Sequence, residues 1–140
     1  MIEHKQAPIT QNDEVVFTVD EKLQGLVQFL LDNGIETYHS CENDVDGMTF
    51  IEYALDDWIA INEIAFRSRS RELYNFIQDY CDPFIQCFDD GYPDETEQHW
   101  VEGNHLVWIA SVTFPSGQLH NFEKLIRENL HVQPQPERVQ

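Results

Sequence analysis

Carboxylate side chains crowd into two segments of this chain, where they could bind a basic protein surface. The clusters consist of Glu42, Asp44 and Asp46 with Asp56 and Asp57 in the next turn, and of Asp89, Asp90, Asp94, Glu95 and Glu97. Proteins that bind nucleic acid present lysine and arginine to the phosphates, so a rigid display of carboxylates can occupy the same groove. Tyr92 and Trp100, beside the second cluster, could add contacts because aromatic residues are enriched at binding hot spots.

The overall charge of the chain is strongly negative. Its 140 residues carry 26 aspartates and glutamates against 8 lysines and arginines, a formal net charge of -18. Between Lys22 and Lys124 the only cations are Arg67, Arg69 and Arg71, whereas ordinary surfaces intersperse both signs. Such a surface repels nucleic acid and anionic membrane and attracts basic proteins. We therefore expect a basic protein as the partner, with a nuclease or another nucleic-acid-binding protein as the leading candidate.

The three arginines stand between two acidic stretches. Glu63 lies four residues before Arg67, the spacing at which opposite charges meet on one face of a helix. We therefore expect the arginines to pair with nearby carboxylates, and not to contact phosphate.

Soft side chains at His39 and Cys41 offer a second kind of chemistry. Histidine and cysteine are residue types that can bind zinc, but zinc sites show a close ligand pair in each arm, which this chain lacks. A base and a thiol nucleophile would need an electropositive setting, and Glu42 and Asp44 follow directly. We therefore assign no metal, cofactor or catalytic residue and expect a protein without enzymatic activity. The alternative is a small-molecule or metal-binding protein with its site near His39, Cys41 and Trp58.

The segment 42–47 resembles the start of an EF-hand calcium loop, which places oxygen ligands at positions 1, 3 and 5 and glycine at position 6. Position 1 is Glu42 instead of aspartate, and position 12 is Tyr53 instead of a bidentate glutamate. We therefore expect loose cation binding by the carboxylates and not a dedicated calcium site.

The chain aligns with itself at an offset of 50 residues. Identical residues fall on one another in the two copies: Leu23 on Leu73, Ile35 on Ile85, and Trp58-Ile59-Ala60 on Trp108-Ile109-Ala110. An internal repeat decides the fold class wherever one exists. The alternative is chance similarity between two amphipathic stretches. We predict two related halves, 21–66 and 71–116, with Trp58 and Trp108 as twin core residues.

Each half is predicted to form a helix followed by three strands. Leu23, Leu26 and Val27 begin a stripe at helical spacing, and Gly34 stands where a helix ends in a left-handed residue. The segment 58–66 suits either a strand or a helix. We predict a strand, because its counterpart around Trp108 is rich in the β-branched and aromatic residues that strands favour.

These elements predict an α+β fold, namely an internally duplicated helix-strand-strand-strand unit with a C-terminal helix at 118–130. The sheet is expected to be antiparallel with helices on one face. The chain is long enough to bury a core as a single domain, which we expect at 1–132. Pro134 and Pro136 mark a flexible tail at 133–140.

The cysteines and the hydropathy pattern bear on the compartment. Three cysteines without C-x-x-C spacing indicate reduced thiols and not a disulfide framework. The sequence shows no apolar run long enough to span a membrane and no secretory leader. We therefore expect a cytoplasmic protein, which could also form a homodimer.

The stretch 34–43 resembles a G-I-x-T-x-x-S-C-x-G signature of small phage and bacterial proteins. Gly34, Ile35, Thr37 and the Ser40-Cys41 pair match it, and Asn43 stands where the signature has its last glycine. The resemblance implies a phage or mobile-element setting and no activity. In size, charge and lack of catalytic motifs the chain is also similar to acidic antagonists, including DNA-mimic anti-restriction and anti-CRISPR proteins and immunity proteins that block nucleases.

Overall fold

The computed structural model describes residues 5–41, 47–89, 92–93, 100–101 and 106–130. The strands in this part of the chain are β1 (Gln6–Gln11), β2 (Glu14–Asp20), β3 (Thr37–Cys41), β4 (Met48–Ala54), β5 (Asp82–Asp89), β6 (Tyr92–Pro93), β7 (Trp100–Val101) and β8 (Leu106–Pro115). The helices are α1 (Gln24–Asp32), α2 (Leu55–Arg67), α3 (Glu72–Tyr80) and α4 (Leu119–Asn129). Short 3-10 turns at Glu21–Leu23 and Ser116–Gln118 lead into α1 and α4.

Four strands make up the main sheet, in the order β3-β4-β8-β5, with every neighbouring pair antiparallel. The central pair extends from Met48 opposite Pro115 to Ala54 opposite Ile109. Because side chains alternate along a strand, one face of this pair is buried: Thr49, Ile51 and Tyr53 on β4, and Ala110, Val112 and Phe114 on β8. The predicted α+β fold with an antiparallel sheet is confirmed.

Aromatic side chains join three helices to this buried face. The ring centroids of Phe114 on β8 and Phe122 on α4 lie 5.0 Å apart, and Phe76 on α3 lies 5.2 Å from Phe122. Trp58 on α2 contacts Tyr53 on β4, with 5.1 Å between centroids. The helices α2, α3 and α4 therefore pack against one face of the sheet, as predicted.

A hairpin that was not predicted precedes α1. Strands β1 and β2 pair around Asn12 and Asp13, whose φ angles are 55° and 66°. Positive φ at both central residues of a two-residue hairpin loop is the type I′ geometry, and asparagine and aspartate tolerate it. Ile9 of β1 and Val19 of β2 are buried in the hydrophobic core and anchor the hairpin there. The available sequence signal was the Asn12-Asp13 dipeptide between two apolar runs.

Glutamine side chains of α1 cover the outer edge of β1. Gln28 accepts a hydrogen bond from the backbone N–H of Thr10 and donates one to its carbonyl, both at 2.9 Å. Gln24 donates to the carbonyl of Pro8 at 2.9 Å. These bonds satisfy backbone groups that an edge strand would otherwise present unpaired.

The predicted strand at 58–66 is wrong, because this segment forms most of α2. Trp58, Ile61 and Ala65 are buried on one side of that helix, which is a helical spacing. Asp56 and Asp57 stand in its first turn, where the partial positive charge of the helix N-terminus favours carboxylates. The strand prediction relied on the repeat, whereas the spacing of the buried residues and the two aspartates are local features of a helix.

The offset of 50 residues describes only the first helix of each half. Trp58 lies in a helix whereas Trp108 lies in β8, so the identity of these tripeptides is coincidental. Beyond the first helix, the unit β4–α2 of the first half is equivalent to the unit β8–α4 of the second half, at an offset of 61 residues. At this offset buried residues coincide: Ile51 with Val112, Trp58 with Leu119, Ile61 with Phe122, and Ala65 with Ile126. The connectivity helix-strand-strand-helix therefore occurs twice, with a longer connection between the strands of the second copy.

Candidate interaction surface

Two of the predicted partner-binding carboxylates lie in the first turn of α2. Asp57 accepts a hydrogen bond from the backbone N–H of Glu36 at 2.7 Å, through its Oδ2 atom. This bond ties the chain before β3 to the start of α2, so Asp57 has a structural role. Asp56 is exposed and can contact a partner.

Most of the other predicted partner-binding residues lie outside the described residues: Glu42, Asp44, Asp46, Asp90, Asp94, Glu95 and Glu97. The backbone is described for three more. Asp89 ends β5, and Tyr92 and Trp100 begin the short strands β6 and β7, which pair with each other.

The main sheet separates the attachment points of the two acidic segments. The segment 42–46 joins Cys41 of β3 to the start of β4, near the β8 end marked by Pro115. The segment 90–105 leaves β5 at Asp89, which is opposite Leu106 at the other end of β8. Nine residue steps of β8 separate these ends, about 30 Å at ~3.3 Å per residue. The two acidic segments are therefore attached at opposite ends of the main sheet.

One of these two ends also includes the first turn of α2. Ala54, the residue before α2, is opposite Ile109 near the start of β8. Asp56 and Asp57 therefore lie at the end of the sheet where the segment 90–105 begins. We call this end of the molecule the acidic end.

Positive charges are confined to the other layers of the molecule. The sequence has no lysine or arginine in 23–66 or 72–123, and these stretches contain all four strands of the main sheet. The ion pairs formed among described residues are Lys5 with Glu21 at 3.9 Å, Lys124 with Glu128 at 4.0 Å and Arg127 with Glu123 at 2.9 Å. They lie at the hairpin and on α4. The sheet therefore carries carboxylates that no cation of its own strands compensates.

The arginines between α2 and α3 do not pair as predicted. Arg71 donates a hydrogen bond to the carbonyl of Phe66 at 2.8 Å, and its guanidinium lies 4.3 Å from the ring centroid of Tyr74. No described carboxylate lies within ion-pair distance of Arg67. The expected pairing of Arg67 with Glu63 is therefore wrong, and Arg71 instead stabilises the connection between the two helices.

Apolar side chains line an open groove between α2 and β5. Its volume is about 480 Å³, and its lining includes the apolar Leu55, Ile59, Phe66 and Ile85 and the polar Asn62, Glu63 and Arg67. We call it the α2–β5 groove. Trp108 extends the same face of the sheet, because it is opposite Cys87, two residues beyond Ile85 on β5. Trp108 is 50% exposed, so its predicted role in the core is wrong, whereas that of Trp58 is confirmed.

A second cavity lies where α1, α2 and α4 end. Its volume is about 490 Å³, and Asn33, Ile64, Arg67 and Leu130 contribute to its lining. Helix C-termini carry partial negative charge, and Arg67 in the last turn of α2 offsets it. Glu128 also lines this cavity, so its lining contains one cation and one carboxylate.

The sheet separates the residues of the predicted small-molecule or metal site. Cys41 is opposite Phe50, and Phe50 alternates with Ile51 and so faces away from the helices. Trp58 lies on the helix side, so Cys41 and Trp58 do not share a pocket. Among the described residues no three histidine, cysteine or acidic side chains come together as a metal site would require.

The half-buried thiol of Cys81 and the buried phenol of Tyr53 are held in their neutral forms. Burial raises the pKa of Cys81 to about 12. Burial, and then the neighbouring Cys81, raise the pKa of Tyr53 well above its ordinary value. A reactive cysteine requires the opposite shift, towards the thiolate, so Cys81 is not suited to nucleophilic catalysis.

Comparisons with known proteins identify no relative. No protein-family model matches the chain, and no curated protein or solved structure matches it. Within the described residues, no helix is long and apolar enough to cross a membrane. The resemblance of residues 34–43 to the phage and bacterial signature stays a prediction.

Proposed function

We propose that this chain is a non-enzymatic acidic binding protein, which occupies the basic nucleic-acid-binding surface of a nuclease or another DNA-binding protein and so inhibits it. The observation that supports this most directly is the charge distribution: the stretches 23–66 and 72–123, which contain all four strands of the main sheet, have no lysine or arginine. Complementary charge speeds association and makes it dependent on salt. Cys81 and Cys87 are free thiols, which is typical of a reducing compartment such as the cytoplasm.

The acidic end is the best candidate for the contact surface. Asp56 is exposed in the first turn of α2, and the segment that carries Asp90, Asp94, Glu95 and Glu97 begins at the same end. Tyr92 and Trp100 belong to that segment too and would supply aromatic contacts. The segment with Glu42, Asp44 and Asp46 is attached at the opposite end of the sheet, and we assign these carboxylates a secondary role.

Competition with DNA tests this function. The immobilised protein is incubated with a lysate of its source organism, with and without excess duplex DNA, and the retained proteins are identified by mass spectrometry. We expect a basic nucleic-acid-binding protein that DNA displaces and that high salt releases. Retention of a partner that duplex DNA does not displace would contradict the proposal.

Matched triple variants locate the contact surface. Each neutralises one glutamate and two aspartates: Glu42→Gln, Asp44→Asn and Asp46→Asn in the first, and Asp90→Asn, Asp94→Asn and Glu95→Gln in the second. The control set, Asp13→Asn, Glu14→Gln and Asp32→Asn, lies on the hairpin turn and at the end of α1. We expect the second variant to weaken binding to the captured partner roughly tenfold more than the control does. Equal effects of all three would show that only net charge matters.

A further inference from the structure

In the part of the chain that the structure describes, nothing pairs with the outer edge of β5. This strand ends the main sheet, and among the described strands it pairs only with β8. The pairing covers eight consecutive residues without a register shift, so the strand is regular enough to accept a further strand. The edge of β1, in contrast, is covered by Gln24 and Gln28.

The residues of β5 do little to block such pairing. Natural edge strands are protected by lysine, proline, bulges or a covering element. Here only Pro83 interrupts the backbone donors, close to the first residue of the strand. Phe84 is 61% exposed and Ile85 is 43% exposed, so exposed apolar side chains lie on both faces of this edge strand.

The α2–β5 groove continues this edge on the helix side. Neighbouring strands lie about 4.8 Å apart, and their side chains alternate between the faces. A strand added to β5 would therefore place every second side chain beside Ile85, over Ile59 and Phe66 of the groove. Backbone hydrogen bonds and apolar burial would both contribute to binding, as in β-strand addition.

Charge determines which strand can bind there. Acidic residues stand at both ends of β5, Asp82 and Asp89, and no cation lies in 72–123. A second copy of β5, paired antiparallel along its full length, would bring Asp82 opposite Asp89, and two chains of formal charge -18 repel each other. Arg67 lines the groove on the helix side, whereas Asp82 alternates with Ile85 and lies on the other face together with Phe84. A segment with apolar residues facing the groove and basic residues facing the Asp82 side therefore satisfies the edge, the groove and the charge together.

We infer that the outer edge of β5 accepts a β-strand of the basic partner, with the apolar side chains of that strand in the α2–β5 groove and its lysine or arginine residues on the opposite face, near Asp82. This inference rests on the proposed function and names how the partner binds.

A synthetic peptide tests the edge separately from the partner. The probe alternates lysine with valine and isoleucine, and its control has the same composition in scrambled order. Hydrogen exchange of the β5 amides and fluorescence anisotropy are measured with each peptide. We expect the alternating peptide alone to slow exchange within 82–89, because only a paired edge strand hides those amides from water.

Matched apolar variants test the groove. The groove variant is Ile59→Ser with Phe66→Ser, which are 47% and 61% exposed, and the control is Val15→Ser with Val16→Ser, which are 61% and 47% exposed. The groove variant should bind the alternating peptide roughly tenfold more weakly, and the control should bind it like the natural protein. Thermal unfolding of both variants tests whether they are folded. If the groove variant does not fold, the exchange measurement on the natural protein still tests the inference.

The remaining outcomes separate this inference from the proposed function. Equal binding of both peptides without protection of 82–89 would overturn docking at the edge and leave acidic binding intact. Failure of both peptides to bind would also overturn it, while the DNA competition decides the function independently. If the natural protein is a dimer in analytical ultracentrifugation and the groove variant is a monomer, a second copy of the chain occupies the edge. That result would overturn the inference that a basic strand binds there.

Discussion

At the scale of residues, the polar groups inside the core are the most informative. The hydroxyl of Tyr53 is buried, and no described donor or acceptor lies within hydrogen-bond distance of it. Its ring packs on Trp58, so the aromatic part of the side chain stabilises the core while the hydroxyl costs free energy by desolvation.

Replacing Tyr53 with phenylalanine should stabilise the protein. Tyr53→Phe removes an unsatisfied hydroxyl and keeps the ring, so we expect the free energy of unfolding to rise by about 1 kcal/mol. Urea denaturation measures this change, and Tyr80→Phe on α3, which is 40% exposed, is the control and should have almost no effect. A loss of stability in Tyr53→Phe would show that the hydroxyl has a partner.

The thiol of Cys81 should make the protein sensitive to alkaline pH. Its pKa is raised from 9.0 to about 12 in the fold, so the neutral thiol is favoured by folding. The resulting stability is fully present below about pH 9 and is lost as the pH rises towards 12, at about 1.4 kcal/mol per pH unit at most. Denaturation between pH 8 and pH 11 should therefore show a shallower fall in Cys81→Ala than in the natural protein. Cys87→Ala, which removes an exposed thiol, is the control, and an unchanged slope in Cys81→Ala would contradict the assignment.

At the scale of elements, the start of α2 links the sheet to the helix layer. Asp57 serves two purposes there, because it lies at a helix N-terminus and accepts the N–H of Glu36 ahead of β3. On the other side of the molecule, Arg127 of α4 donates to the carbonyl of Gly25 in α1 at 3.1 Å and lies over the ring of Phe29. A few side chains of this kind hold the elements in register.

The two aspartates of α2 should differ in their contribution to stability. Asp56 and Asp57 share the first helical turn, so both interact with the helix dipole, but only Asp57 also bonds to Glu36. We expect Asp57→Ala to lower the free energy of unfolding by about 1.5 kcal/mol and Asp56→Ala by about 0.5 kcal/mol. Urea denaturation of the two variants measures the difference. Equal losses would mean that the bond to Glu36 contributes nothing.

At the scale of the whole molecule, charge opposes folding. The formal net charge of -18 makes the compact state repel itself, and burial of the apolar core offsets this cost. The same charge favours association with a basic partner. Stability and binding should therefore respond to salt in opposite directions.

Salt should stabilise this protein. Raising the ionic strength from about 0.01 M to 1 M shortens the Debye length from about 30 Å to 3 Å, which screens the repulsion between carboxylates. We expect the midpoint of thermal unfolding in sodium chloride to rise by roughly 4 °C, or about 1 kcal/mol. The variant with Asp13→Asn, Glu14→Gln and Asp32→Asn should gain less because it carries less charge. A midpoint that falls with salt would show that specific ion pairs dominate.

Local patterns in the sequence were sufficient to predict several elements. The stripe of Leu26, Val27 and Leu30 forms α1, and Gly34 has the expected left-handed backbone, with φ of 82°. A helix buries one face at a period of 3.6 residues wherever it packs, so such patterns are sufficient to predict the helices of the α+β fold. The acidity of the chain is likewise a property of composition.

Only the tertiary structure decided how these elements meet. The sequence by itself determined the class of fold, the negative charge and most helix stripes, because these depend on neighbouring residues. It did not determine that β4 pairs with β8, that the acidic segments begin at opposite ends of the sheet, or that Trp108 is exposed beside the edge strand β5. Strand pairing joins residues far apart in the chain, and many registers satisfy the same alternation. The choice among them depends on how all the elements pack together, and that choice created the α2–β5 groove.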